Sequence, residues 1–267
     1  MGNRGGLCER KFVMTYRTII LEQKDGYSIV TLHRPREMNA LSREMRAELE
    51  DCFIRLEDDT DARVIILTGG DYVFSAGLDL KELSNLPDAD INDFFRSVTK
   101  YLKRIYTCKN PVIAAVGGIA LGGGFNLATV CDLIIASESA IFGHPELMFG
   151  LNPLFNPLRQ IVGVAKAKEI IMLGQPIGAK EALRIGLVNK VAPPENLMME
   201  AESMARELAK RSPQAMEAIK RISDIAPRLD KGAALDLEQD VEALLFSSAE
   251  RKEYMKDFMN ALKNRKK

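Results

Sequence analysis

The sequence predicts an α/β fold of repeated strand–helix units that ends in a helical C-terminal region. Three observations carry this prediction. Val64–Thr68, residues 111–116 and Leu133–Ser137 are short, continuous β-rich apolar runs, the mark of strands covered on both faces. Segments with helical spacing separate these runs, and strands alternating with helices argue for an α/β core. After Lys166 the composition shifts to Ala-, Glu- and Lys-rich stretches with helical spacing that continue nearly to the end.

The elements follow in order. Residues 19–24 and Tyr27–Leu32 read as a hairpin around Asp25-Gly26, a strong two-residue turn signal. Ser42 is placed to cap a helix that carries Met45, Leu49, Phe53 and Leu56 on one face. Asp79-Leu80-Lys81-Glu82 has the spacing of a capping box. A helix over 94–105 precedes the run at 111–116. The glycine turn Gly122-Gly123-Gly124 opens another, with Leu127, Val130 and Cys131, before Leu133–Ser137. The C-terminal helical pattern is broken at Ile185-Gly186-Leu187-Val188 and at Pro193-Pro194. The chain is read as a flexible extension over 1–13, a core over 14–200 and a helical region over 201–267.

Composition narrows the function. The 267 residues are 46% apolar, enough for a sizeable core. Thirty-seven basic residues balance 37 acidic ones, which argues against a uniform nucleic-acid or membrane-surface footprint; the basic tail over 263–267 reads as a solvated end. Cys8, Cys52, Cys108 and Cys131 are scattered without a CxxC pair, and two histidines give zinc poor support. Free thiols in a reducing cytosol fit best, so a cytoplasmic location is expected. No apolar run is long enough to span a bilayer, and residues 1–11 lack a signal-peptide core.

Chemistry concentrates at two glycine-containing turns and one acid. The run Gly122-Gly123-Gly124 lacks the spacing of a dinucleotide fingerprint, because Leu127 stands where the last glycine belongs. Gly118 and Gly123 match P-loop glycines, but Gly124-Phe125 replaces the required Lys-Ser/Thr. Two readings remain: an oxyanion hole built on the Gly123 N–H, or a tight turn chosen only for close packing. Phe74-Ser75-Ala76-Gly77-Leu78-Asp79-Leu80 is a second small-residue turn, whose Leu78 N–H can serve the same oxygen. Glu146, in Gly143-His144-Pro145-Glu146, supplies a carboxylate that can move protons beside a polarised carbonyl. His144, between Gly143 and Pro145, reads as a packed or hydrogen-bonded turn residue rather than a second base, and His33 as a strand-end residue.

Together these stretches resemble the enoyl-CoA hydratase/isomerase (crotonase) family. The resemblance runs through His33-Arg34-Pro35, Met38-Asn39-Ala40-Leu41, Phe74 to Leu80, Ala120-Leu121-Gly122-Gly123-Gly124, Cys131-Asp132 and Phe142 to Glu146. It continues in Ala179-Lys180-Glu181-Ala182 and Ile185-Gly186-Leu187-Val188, so it covers nearly the whole chain from Met14. It implies a crotonase-like spiral of β-β-α repeats, with C-terminal helices that build a homotrimer or a dimer of trimers. It also implies an acyl-CoA thioester substrate whose oxygen is held by the N–H groups of Leu78 and Gly123. CoA contacts are implied at Arg36 and Met38, at Ala76, Gly77, Asp79, Leu80 and Lys81, and on the final helix at Phe258 and Lys263. No cofactor is implied beyond the coenzyme A of the substrate.

Departures from the family pattern bear on the reaction. Hydratases of the family generally use two glutamates to hold and activate water. The second matches Glu146, but the first falls on Asn126, which exchanges no proton at ordinary pH. Moving a double bond needs only one base, and the Phe-Ser-Ala-Gly-Leu-Asp-Leu wording resembles the family's isomerases. The expected activity is therefore enoyl-CoA isomerisation by Glu146, with water addition assisted by Asn126 as the alternative. A catalytically weak acyl-CoA-binding protein and another enolate reaction stand behind these. The segment Leu151-Asn152-Pro153-Leu154-Phe155-Asn156-Pro157 replaces a longer glycine-rich stretch of the family and is expected to stiffen and narrow the acyl pocket.

Overall fold

The structure, a computed structural model, describes residues 16–265. The extension expected over 1–13, Cys8 and the last two residues of the basic tail lie outside the described residues. The hairpin forms as predicted. β1 (Ile19–Gln23) pairs antiparallel with β2 (Tyr27–Leu32), and Gly26 takes the positive φ of 82° that the turn requires. α1 (Arg43–Asp58) begins at Ser42, whose Oγ accepts from the Met45 N–H at 3.3 Å, and Met45, Leu49, Phe53 and Leu56 are all buried.

A repeating unit then builds the molecule. β3 (Val64–Thr68) and β4 (Val73–Ser75) lead into α2 (Leu80–Ser84) and α3 (Ile91–Tyr106). β5 (Val112–Val116) and β6 (Ile119–Leu121) lead into α4 (Gly123–Thr129), and β7 (Leu133–Ser137) and β8 (Ile141–Gly143) into α5 (Asn156–Leu173). β9 (Ile177–Gly178), α6 (Ala179–Arg184) and β10 (Lys190–Ala192) complete the core. The first strand of each unit joins a six-stranded sheet of order β1-β2-β3-β5-β7-β10. The second joins a four-stranded sheet of order β4-β6-β8-β9. This is the β-β-α spiral expected from the sequence.

The long strands are apolar throughout because both faces of the larger sheet are covered. Ile65, Leu67, Val112, Ala114 and Val116 point into the main core with α1. Their neighbours Val64, Ile66, Ile113 and Ala115 point the other way, against Leu197, Ala201 and Ala205 of α7 (Leu197–Ala209). α7 runs across the expected boundary at 200/201, with Leu197 on one side of it and Ala201 and Ala205 on the other all packed against the sheet. α8 (Pro213–Ile225), α9 (Lys231–Ser247) and α10 (Ala249–Arg265) follow, and neither α8 nor α9 buries a residue. Lys220 ties α8 to the core, its Nζ donating to the Asn110 carbonyl (2.8 Å) and to Asp132 (2.7 Å).

The capping box at residues 79–82 forms by half. Asp79 caps α2, accepting from the Lys81 N–H at 3.1 Å, but Glu82 turns to Arg46 instead of back to Asp79. Cys52, Cys108 and Cys131 are free and buried, and burial pushes the Cys52 and Cys108 thiols up to about 12. Among the described residues no helix is long and apolar enough to cross a membrane, and no three His, Cys, Asp or Glu cluster to hold a metal ion.

Candidate active site

The smaller sheet gathers the chemically interesting residues. β4, β6 and β8 are adjacent and parallel, with Ser75 opposite Ala120 and Ala120 opposite Phe142. Their C-terminal ends therefore lie side by side. Those ends run directly into Ala76-Gly77-Leu78, Gly122-Gly123 and His144-Pro145-Glu146, so segments nearly seventy residues apart in sequence become neighbours. Pairing continues past the strands, since the Gly122 N–H donates to the Gly143 carbonyl at 2.9 Å.

The two glycine turns touch. A Cβ on Gly77, where φ is +101°, would lie 3.0 Å from the Gly123 nitrogen and 2.8 Å from the Leu121 carbonyl oxygen. A Cβ on Gly123 would lie 3.2 Å from the Leu78 nitrogen. Close approach of these two backbones is what the glycines permit. Both amides are also without acceptors. The Leu41–Leu78 bridge uses the Leu41 N–H and the Gly77 carbonyl (2.8 Å), which leaves the Leu78 N–H on the opposite side. Gly123 is the first residue of α4, so its N–H has no acceptor within the helix. Neither amide donates to a turn, loop or side-chain acceptor among the described residues.

Side chains buried behind Leu78 hold its turn in place. The Ser75 Oγ donates to the Asn39 carbonyl (2.8 Å) and accepts from the Gly77 N–H (3.2 Å). Asn39 itself sits at φ 53°, and its Nδ2 donates to the carbonyls of Gly69, Val73 and Phe74. Arg46, fully buried, donates to the Leu41 carbonyl (2.7 Å) and pairs with Glu82 through both guanidinium arms.

Glu146 faces the glycine turn. A Cβ on Gly122 would stand 3.3 Å from its Oε1, so the carboxylate occupies space that only a glycine leaves open. His144, read from sequence as a turn residue, is indeed packed: it is buried and stacks on Phe125 at 4.6 Å between ring centroids. Its Nδ1 also lies 3.4 Å and 3.2 Å from the two Glu146 oxygens. Asn126 sits one helical turn beyond Gly123 and is buried, with an Oδ1 that has no hydrogen-bond partner among the described residues. A buried, unsatisfied acceptor in a native site calls for a reason.

The residues expected to contact CoA divide into two groups. Arg36, Met38, Leu80 and Lys81 are exposed around the Leu78 turn, and the Met38 carbonyl accepts from the Ala76 N–H at 3.0 Å, which joins the two segments. Gly77 belongs to the turn itself. The Asp79 carboxylate is committed to Arg34 (3.0 Å) as well as to its cap. Burial alone would raise its pKa; the Arg34 and amide hydrogen bonds outweigh that and hold it below the ordinary value. Phe258 and Lys263 are exposed on α10, which packs against α9 and bonds to the start of α8 through Glu250–Ser212 and Tyr254–Arg211. Within one chain no hydrogen bond or ion pair links those two residues to the glycine turns among the described residues.

Comparison with known proteins bears on the family and the fold. The enoyl-CoA hydratase/isomerase family model matches residues 22–266. A crotonyl-CoA hydratase of Syntrophomonas wolfei subsp. wolfei is 36% identical over 254 residues, covering 94% of this chain and 98% of that protein. A short-chain-enoyl-CoA hydratase of Clostridium acetobutylicum is likewise 36% identical, covering 94% and 97%. The crystal structure of an enoyl-CoA hydratase from Bacillus anthracis superposes with a TM-score of 0.88 at 30% identity, over 92% of this chain and 97% of the other. The chain belongs to the enoyl-CoA hydratase/isomerase family.

Proposed function

We propose that this protein binds an acyl-CoA thioester, stabilises its enolate, and shifts an enoyl-CoA double bond with Glu146 as the only base. One observation carries the reading: two acceptor-free amides on closely approaching turns, with a carboxylate facing the same glycine run across Gly122. The Leu78 and Gly123 N–H groups receive the thioester oxygen, which acidifies C2 of a 3-enoyl-CoA. Glu146 removes the C2 proton, and the electron pair spreads over the oxygen, C2 and C4. The carboxylic acid formed on Glu146 then returns the proton to C4, leaving the double bond between C2 and C3. The exposed stretch from Arg36 to Met38 and Leu80-Lys81 receives the CoA moiety. Phe258 and Lys263 reach a CoA only if α10 of an associated copy brings them there. Free thiols suit a cytoplasmic location.

Water addition is the second reading. The relatives named above are hydratases, and the unpartnered Asn126 Oδ1 offers an acceptor for a water molecule in the place of the missing first glutamate. Incubation with 3-enoyl-CoA and with 2-enoyl-CoA in deuterated water separates the two. Bond migration with deuterium incorporation supports isomerisation, and a 3-hydroxyacyl product supports hydration. Glu146→Gln should lower turnover by roughly 10²–10⁴-fold, the usual worth of a positioned acid–base group, while CoA binding persists. Full activity in that variant rules out both readings of Glu146.

A further inference from the structure

Glu146 does not stand alone, and its neighbour has properties that the proton shuttle leaves unexplained. The His144 ring is buried, is clamped in a stack against Phe125, and presents Nδ1 at 3.4 Å and 3.2 Å to the two oxygens of Glu146. Its Nε2 is also buried and has no partner among the described residues. An ionised carboxylate only accepts hydrogen bonds. With the proton on Nε2, the bare Nδ1 lone pair would face the carboxylate oxygens and an unpaired N–H would be buried on the far side. With the proton on Nδ1 the contact becomes a charge-assisted hydrogen bond.

We propose that His144 is the positioning residue for Glu146: held as the Nδ1–H tautomer, it donates one shared hydrogen bond to both carboxylate oxygens and fixes the carboxylate against Gly122. The inference rests on Glu146 being the base. Two features suit that role. The nearly equal distances reserve neither oxygen, so either is open to take the proton at one carbon and return it at another. The stack on Phe125 also ties the acid to α4, the helix that begins with the Gly123 amide, so donor and base keep a fixed separation. A proton transfer is sensitive to such placement.

The test compares His144→Leu, which fills similar space without an N–H, with His144→Asn, whose amide N–H lies near the position of Nδ1. Isomerase or hydratase turnover and melting temperature are measured for both. The Leu variant should lose about tenfold in kcat, the loss of one hydrogen bond to a charged group, with KM within about twofold. The Asn variant should recover to within about threefold of the parent. Long-range ¹⁵N NMR of the unmodified protein should place the proton on Nδ1, a readout that stands even if the Leu variant does not fold. A proton on Nε2, a fully active Leu variant, or equal losses in both variants overturns the proposal. Glu146→Gln keeps the two levels apart. If it retains activity, Glu146 is not the base; if it is inactive while His144→Leu matches the parent, only the role of His144 falls.

Discussion

Gly77 illustrates how far single positions control this site. Its φ of +101° is strained for any residue with a side chain, and a Cβ there would press on the Leu121 carbonyl and the Gly123 amide together. Gly77→Ala should therefore cost about 1–3 kcal/mol of stability from backbone strain. It should also cost roughly 10²–10³ in kcat, the usual effect of losing one oxyanion donor, because relief of the contact moves the Leu78 N–H. Chemical unfolding and steady-state kinetics on one preparation check both numbers. An alanine variant that is destabilised yet turns over normally would detach the Leu78 amide from catalysis. At Gly124 a Cβ would run into the backbone carbonyl of Ser75, and because Ser75 holds the Gly77 N–H, Gly124→Ala is expected to disturb both folding and the Leu78 turn.

At the scale of elements, Arg46 shows what places the turns. From inside α1 it reaches the Leu41 carbonyl, the Glu82 carboxylate on α2 and the Ser97 Oγ on α3, and its guanidinium lies 4.5 Å above the Phe94 ring. Leu41 in turn binds the Gly77 carbonyl and has its side chain against Gly123. Arg46→Leu leaves the Leu41 carbonyl without its donor and Glu82 with Arg43 alone, through its backbone N–H (3.0 Å) and a longer guanidinium contact (3.8 Å), and should cost about 2–3 kcal/mol, read as a lower denaturation midpoint. None of this network was legible in the sequence, where Arg46 is one charge on a helix whose apolar face is plain. The long strands and α1 were legible because burial on both faces, or on one face at helical spacing, leaves a pattern in residue type. β4, β6 and β8 are three residues each, too short to alternate, so the sheet that assembles the site left no such signature. The expectation for the two amides and Glu146 came from turn glycines and family likeness. The contact between His144 and Glu146 was missed because a histidine two residues from a glutamate says nothing about where either points.

The whole molecule presents a surface that a single chain does not account for. Leu235, Leu244 and Phe246 on α9 and Met255, Phe258 and Met259 on α10 are large, apolar and exposed, and α9 has no buried residue. Helices draw most of their stability from packing an apolar face, and large apolar side chains exposed along two successive helices mark a surface suited to association. Self-association, as a trimer or a dimer of trimers, would cover these side chains and explain helices held to the core mainly at α8. Phe258 and Lys263 would then have a route to a CoA bound on another copy. Leu244→Glu combined with Phe258→Glu should shift the mass in light scattering or sedimentation towards the monomer. If α10 serves a neighbouring site, KM for acyl-CoA should rise by about tenfold or more, while the melting of the core over residues 16–209 changes little. A double variant that stays assembled would place the interface elsewhere. One that dissociates with an unchanged KM would show that α10 builds the assembly without touching the substrate.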